Sequence, residues 1–586
     1  MSEPETTARR RWFDWYASAS LFLLVAGVYW GAAHYGFVAY DDYDYVSHNQ
    51  HVLSGLNAGS VRWALTSTDA GNWFPLTWIS LMADRQLFPA ADEIPPDVIS
   101  AAAHHRTNIV LHAAATVLLF LLLKRTTGRW GPSVLVALWF GLHPLRVESV
   151  AWVAERKDVL SGVLWMLALH AYTRYASRPG ATAYLATVFL YCAGFMAKPM
   201  AITLPLVLLL FDVWPLRRIP PNRKASRVVL WEKLPFYALA LVMAVIAYTV
   251  QKRGGAVRTL QEVPVGTRLQ NAIVSAVIYI GKTLWPTRLA VLYPFRQFPA
   301  WQVIAAGVLL AGATWLAVRS LRLRPYIFTG WCWYAITVLP VIGIVQVGVQ
   351  ARADRYTYLP TIGLYLMLAW GGAEIWEHRP RWRPVLAVAC AGTCLACVTL
   401  TVRQIPYWRD SAALFQHAID VTGPNALAHG YLGDVWRAQL MYDQAAAEYR
   451  RGLAIAPRNA NLLVDFGDAL IQAGRAGEAI SPLNEAAALQ PGDPVIRQVL
   501  ARALFEQGRW NEAIDQLQEA IRIDPGSAEA HALLGAAFER ASRPRDAIAE
   551  YSEALRLHPG WAAAQQGLER ALNGAAKANS SDREHH

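Results

Sequence analysis

"SASLFLLVAGVYWGAAHYGFVAYDDYDY", residues 18–45, sets two features side by side. Residues 18–36 form an apolar run long enough to cross about 30 Å of hydrocarbon as a helix. The chain then presents Asp41, Asp42 and Asp44 among aromatic side chains. The first feature reads as a membrane helix, so the fold turns on how many similar runs follow. The second raises a chemical question, because carboxylates placed directly at a membrane edge are costly unless used or paired.

Composition supports the membrane reading. Of 586 residues, 54% are hydrophobic and 17% charged. An ordinary soluble chain is about 45–50% apolar and about 25% charged. Trp and Tyr number 24 each, and such amphipathic rings collect at membrane–water interfaces. The net charge of +11 sits in short loops between apolar runs, as the positive-inside bias requires, so it does not indicate a nucleic-acid partner. Cys192, Cys332, Cys390, Cys394 and Cys397 all lie in apolar stretches, which gives no disulfide framework.

Apolar runs recur at about 18–36, 105–123, 131–145, 159–176, 182–197, 199–215, 234–251, 269–286, 300–318, 326–345, 357–375 and 384–402. Basic clusters precede or separate them: Arg9 to Arg11, Lys124 to Arg129, Arg217 to Arg227, Arg319 to Arg324 and Arg379 to Arg383. Placing all of these on one side puts the N-terminus in the cytoplasm. The two clusters at 217–227 and 319–324 must then be joined by an even number of crossings, against three candidate runs. One run therefore does not span, and "KTLWPTRLAVLYPF", broken by Pro286 and Pro294, is the expected re-entrant segment. The expectation is about eleven spans plus that segment, with the chain after residue 402 outside.

Beyond residue 405 the composition shifts to Ala, Leu, Glu, Arg and Gln, and a repeat emerges. Pro457, Pro491, Pro525 and Pro559 stand 34 residues apart, as do Ala445, Ala479, Ala513 and Ala547. Leu432-Gly433, Phe466-Gly467, Leu500-Ala501 and Leu534-Gly535 keep the same register. This is the tetratricopeptide period of paired helices. Repeats at about 426–459, 460–493, 494–527 and 528–561 stack into an α-solenoid whose concave face suits an extended peptide. The expected fold is all-α: a polytopic domain at 1–405, a repeat domain at 406–572 and a disordered tail at 573–586.

Further charges cluster at what this topology makes the outer face. They are "HHRTNIVLH" (His104, His105, Asn108, His112), "HPLRVESVAWVAERKDVL" (Arg146, Glu148, Glu155, Arg156, Lys157, Asp158), Lys198, and "ARADRYTYLP" (Arg352, Asp354, Arg355, Tyr356). Each residue alone reads as an interhelical ion pair. The set of cations against the positive-inside bias reads as a site for an anionic ligand. Arg and Lys suit a phosphate, and a carboxylate can act as general base toward a hydroxyl. The His and Asn spacing favours interhelical hydrogen bonds over a metal, and no HExxH occurs. An oxygen-only divalent-cation site at Asp41, Asp42 or Asp84 stays open, because such sites leave no spacing signature. No GxxxxGK loop is present, so a lipid-linked activated donor fits better than ATP.

The acidic pair after the first helix, "NWFPLTWISLMAD", "HPLRVESVAWVAERKDVLSG", "AKPMAITLPLVLLLFDVWP" and "DRYTYLPTIGLYL" resemble the transmembrane and tetratricopeptide-repeat O-mannosyltransferases. The resemblance runs through the repeats as well. It implies a GT-C-type membrane domain and inverting transfer of a sugar, most readily mannose, from a polyprenyl-phosphate donor to a protein or peptide hydroxyl. No cofactor is implied beyond that lipid-linked co-substrate. The resemblance implies a base at Asp42 or Asp41, with Asp42 the first choice. By resemblance and charge, Arg156 and Lys157 come first for the donor phosphate, then Arg352 and Arg355, with Lys198 beside them. Glu148 then orients a basic partner, while His104, His105, Asp84, Asp158, Asp354 and Tyr356 line the pocket. The short array resembles a bacterial member, which implies an inner-membrane protein with periplasmic repeats. The competing reading is a non-catalytic scaffold recruiting partners through the repeats. It leaves the charges of the outer face unexplained.

Overall fold

A computed structural model describes residues 3–88, 96–219 and 223–584. They are mostly helical, and the extended pairings among them are two isolated antiparallel bridges, Val257 with Val347 and Tyr293 with Arg352. The chain divides into two compact units, Met1–Thr422 and Gly423–His586. Residues 406–422, assigned by composition to the repeats, pack with the first unit. Ser411 Oγ accepts a hydrogen bond from Ala39 N at 2.7 Å, and the Phe415 ring meets Tyr40 edge-on.

Among the described residues five helical segments of the first unit are long and apolar enough to cross a membrane: Trp12–His34, Ala101–Thr127, Arg227–Arg253, Ala300–Ser320 and Pro380–Trp408. A bent pair, Trp130–Leu142 with Pro144–Ala151, makes a sixth if it counts as one span. The expectation of about eleven spans is therefore corrected. The reason is local. Ala181–Ala197 has 17 residues, Leu204–Val213 has 10 and Pro325–Val338 has 14. At about 1.5 Å per residue these fall short of the hydrocarbon thickness. Pro144, Pro199 and Pro205 stand at helix starts, where the absent N–H costs nothing; Pro199 separates two apolar runs, and Pro144 and Pro205 fall within one. The interruption expected at Pro286 is present: the helix Val265–Leu284 ends there, residues 285–299 are non-helical, and this helix is not among the candidate spans. A second, unexpected break of 55° lies at His143-Pro144.

Ala101–Thr127 is the most enclosed of the long helices, with 56% of its most apolar window buried. Arg227–Arg253, Ala300–Ser320 and Pro380–Trp408 are each 11% buried and turn Leu241, Trp315 and Val388 outward. An apolar surface of that extent suits lipid rather than water.

In the second unit the repeats form helix pairs at the predicted boundaries: Ala426–Ala438 with Tyr442–Ile455, Ala460–Gln472 with Ala476–Leu489, Pro494–Glu506 with Trp510–Ile523, and Ala528–Arg540 with Pro544–Leu557. Asn425, Asn459, Asp493 and Ser527 cap the first helix of each pair, their side chains accepting from a backbone N–H of the first turn. Helices cross closely at the small residues. A Cβ on Gly433 would lie 2.6 Å from Tyr449, and one on Gly467 2.6 Å from Leu483. A last helix, Ala562–Glu584, covers most of the tail expected to be disordered. His585 and His586 lie outside the described residues.

Candidate active site

The first long helix ends in a turn, Trp30–His34, and the chain then runs extended to the acidic pair. Asp42 is 1% exposed. Its Oδ2 accepts from Val38 N at 3.0 Å and its Oδ1 from Ala154 N at 2.8 Å. Both carboxylate oxygens are thus engaged by backbone amides. One bond closes the residue's own turn and the other ties that turn to a segment 112 residues away. Burial pushes the Asp42 carboxyl up to about 7, against those two hydrogen bonds. Asp41 behaves differently. It is partly exposed, and its carboxylate accepts no hydrogen bond among the described residues. Burial raises its pKa, while Lys157 and Arg355 act in the opposite sense.

The second strand of the site is "HPLRVESVAWVAERKD". It folds as three short turns, Pro144–Arg146, Val147–Ala151 and Val153–Glu155, before the helix Arg156–Ser177 begins. The breaks let Glu148, Glu155, Lys157 and Asp158 converge, which one straight helix would not. Glu155 is the hub. Its Oε1 lies 3.2 Å from Lys157 Nζ and 3.1 Å from Arg355 Nε, and its Oε2 3.1 Å from Lys198 Nζ. Burial pushes its pKa up, but Lys157, Lys198 and Arg355 together hold it well below the usual carboxylate range. Lys198 also reaches Asp158 at 2.5 Å, and Asp158 accepts from Ser149 Oγ at 2.9 Å. Arg355 Nη1 meets Glu148 Oε1 at 2.5 Å, and its backbone N donates to Glu148 Oε2 at 3.0 Å. Lys157 stands over the Tyr45 ring at 4.8 Å, and Arg355 over Trp152 at 5.2 Å. Trp152 in turn stacks on Tyr40 at 5.0 Å.

A third group extends this cluster. Asp354 Oδ1 lies 2.7 Å from Lys282, and its Oδ2 accepts from the Tyr293 hydroxyl at 2.7 Å. Lys282 also hydrogen-bonds the same hydroxyl. Tyr356 accepts from Gln350 Nε2 at 2.9 Å, and its ring lies 5.1 Å from Arg355 Cζ.

Arg156, the first choice for the donor phosphate beside Lys157, belongs to another neighbourhood. Its Nε bonds Asn108, Nη1 bonds Ser80 at 2.8 Å, and Nη2 bonds Asp84 at 2.6 Å and the His104 carbonyl at 2.8 Å. All three nitrogens are engaged and the residue is fully buried. Asp84 also takes His104 Nδ1 at 2.8 Å and Thr107 at 2.7 Å, while His105 donates to the Gly36 carbonyl at 3.3 Å. Asp84, His104 and His105 thus brace the loop that carries the acids. Among the described residues no three His, Cys, Asp or Glu side chains converge as a metal-binding group.

Sequence reasoning missed Lys282, Tyr293, Tyr40, Tyr45 and Trp152. Lys282 stands alone in an amphipathic helix, and nothing near it in sequence announces a carboxylate 72 residues on. The aromatics read only as interfacial residues.

The molecule is thus a multi-helix membrane-type unit with a buried ion-pair cluster, joined to a tetratricopeptide array. The Tetratricopeptide repeat family matches residues 437–503 and 470–537. Protein O-mannosyl-transferase Tmtc1 of Drosophila melanogaster is 35% identical over 112 residues, covering 19% of this chain and 13% of that protein. Protein O-mannosyl-transferase Tmtc3 of the same organism is 19% identical over 420 residues, 61% of this chain and 44% of that protein. Among solved structures, MamA is 25% identical over 27% of this chain and 86% of its own, with a TM-score of 0.25. By sequence the chain is a relative of the transmembrane and tetratricopeptide-repeat protein O-mannosyl-transferases, and it spans less than half the length of those it matches.

Proposed function

We propose that this chain transfers a mannosyl group from a polyprenyl-phosphate donor to a hydroxyl of a polypeptide acceptor, at the non-cytoplasmic membrane face. One observation carries the reading: of two adjacent aspartates, Asp42 is locked by backbone amides, while Asp41 stays partly exposed beside Lys157 and Arg355. Asp41 is therefore the base, and Asp42 the anchor that aims it, which reverses the order of preference drawn from sequence.

In the step, an Asp41 oxygen takes the acceptor hydroxyl proton. The hydroxyl oxygen forms a bond to sugar C1, and the C1–O bond to phosphate breaks with its electron pair on the phosphate oxygen. The leaving phosphate gains a negative charge, which Lys157 and Arg355 are placed to stabilise. Their partners Glu155 and Glu148 hold them in position. A carboxylate with a raised pKa is a better proton acceptor than an ordinary one and stays ionised above that pKa. The repeats bind the acceptor polypeptide, in keeping with the concave surface such arrays form.

The test uses purified protein, mannosyl polyprenyl phosphate and a Ser/Thr-rich peptide library, with transfer read by mass spectrometry. Asp41→Asn is expected to abolish transfer with the fold intact. Full activity in that variant removes Asp41 as the base.

A further inference from the structure

Arg352 departs from the charge pattern of the ion-pair cluster. Lys157, Lys198, Lys282 and Arg355 each pair with a carboxylate. Among the described residues Arg352 makes no ion pair, and its Nε and Nη1 are buried without an acceptor. Buried donors are paired in the great majority of cases, and a guanidinium left without acceptors is the costliest kind to leave open. Arg146 also has an unpartnered Nε and Nη1. It is fully buried, however, with the Phe140 and Tyr358 rings 5.3 and 5.4 Å from its Cζ, so it offers a ligand no approach. Arg352 is partly exposed, so an anion can reach it.

The residue is also held in place. Its Cζ stands 4.8 Å from the Tyr293 ring centroid, and its backbone bridges to that of Tyr293. Tyr293 is 4% exposed and is fixed by its hydroxyl bond to Asp354 at 2.7 Å. Lys282 shares the ring, 3.9 Å from the same centroid. Asp354 compensates Lys282 and leaves the Arg352 charge uncompensated. The guanidinium is thus oriented before any ligand arrives. Its fork of donors matches the oxygens of a phosphate.

We propose that Arg352 binds the phosphodiester anion of a membrane lipid. The reading as a transferase supplies one source, the lipid-linked sugar donor; an anionic phospholipid headgroup is the other. The assignment to the donor rests on that reading, whereas the anion site does not.

The experiment uses the full chain in phosphatidylcholine nanodiscs with radiolabelled mannosyl polyprenyl phosphate as probe, in a parallel set doped with phosphatidylglycerol. The wild type is expected to bind the probe. Arg352→Gln should weaken binding about tenfold or more, and Arg352→Lys less, because it keeps the charge and loses the fork. Asp41→Asn should bind as the wild type does while losing transfer. The melting temperature of Arg352→Gln should fall little, since the guanidinium makes no ion pair and its loss removes only the contact with the Tyr293 ring. Probe binding that survives phosphatidylglycerol assigns the site to the sugar donor. Binding abolished by phosphatidylglycerol assigns it to the headgroup. Equal affinity in Arg352→Gln, or a wild type that binds neither lipid, overturns the proposal. Arg352-dependent binding without any transfer supports the anion site and sinks the transferase reading instead.

Discussion

Glu148 meets Arg355 across 207 residues of chain; Arg509 meets Glu512 across three. The two pairs typify their units. In the buried cluster of the first unit charges are enclosed, and most of their partners come from remote segments. In the repeats, Arg475–Glu478, Arg509–Glu512 and Arg543–Asp546 recur 34 residues apart on solvent-facing helix starts. A buried pair exists only where the fold assembles it, and removing one partner strands the other in a medium that punishes lone charge. An exposed pair sits in water and is worth little. Electrostatics in the first unit therefore reports function and position, whereas in the second it reports solubility and helix register.

The largest effect expected is on catalysis. Asp41→Asn should lower kcat by about 10²–10⁴-fold, the usual worth of a positioned general base, with the melting temperature unchanged. Asp42→Asn should lower both, because an amide nitrogen in place of one oxygen faces a backbone N–H that it cannot accept. In the wild type the rate should fall as pH drops through the raised pKa of Asp41, since only the ionised carboxylate takes a proton. Steady-state kinetics against pH, with thermal melts in parallel, check both. Equal loss of stability in the two variants would erase the distinction between base and anchor.

Next in size is the hub. Glu155→Gln leaves Lys157 without its carboxylate, and Lys198 and Arg355 with one each, Asp158 and Glu148. The cost should be about 3–5 kcal/mol, as when a buried pair loses one member. Glu512→Gln, the same change on an exposed pair, should leave chemical denaturation curves unmoved. Similar shifts from both substitutions would break the contrast between the units.

Packing sharpens the contrast from the other side. Gly433→Ala puts a Cβ 2.6 Å from the Tyr449 ring. That ring is fully buried and its hydroxyl is bonded to Asp434 at 2.7 Å, so it cannot swing aside. The cost should be about 1–3 kcal/mol. The third repeat shows the remedy, with Ala501 at the glycine position and Leu517 at the tyrosine position. Tyr449→Leu should accordingly recover part of the loss in the double variant, read as a coupling energy in a double-mutant cycle.

These differences explain what the sequence made legible. The 34-residue period revealed helix pairs, caps and crossings because each repeat depends on neighbours one period away. The acidic pair was visible as a motif, but which aspartate faces outward was not, since Asp42 is fixed by an amide at Ala154. Arg156 and Lys157 are adjacent in sequence yet answer to different partners, Asp84 and Glu155, because successive helix positions point about 100° apart. The count of spans ran high because hydropathy records apolar length and not where prolines divide it. Lys282 gave no signal at all, since its partner Asp354 comes from a distant loop.

The smallest effect tests how far local rules carry in the repeats. The residue closing the first helix of each pair takes a left-handed conformation: Leu440 at φ 61°, Gly474 at 74°, Gly508 at 71° and Ser542 at 59°. Glycine adopts that region freely, and other L-residues pay a steric cost there. The middle repeats satisfy the rule, whereas Leu440 violates it while 71% exposed, so its side chain gives little burial in return. Leu440→Gly should stabilise the protein by about 0.5–1 kcal/mol, the steric relief outweighing the extra freedom of the unfolded chain. Introducing the strain instead, Gly474→Leu should destabilise by a similar amount. If denaturation shows no opposition between the two, the turn is set by contacts beyond the repeat, and the array is less local than its period implies.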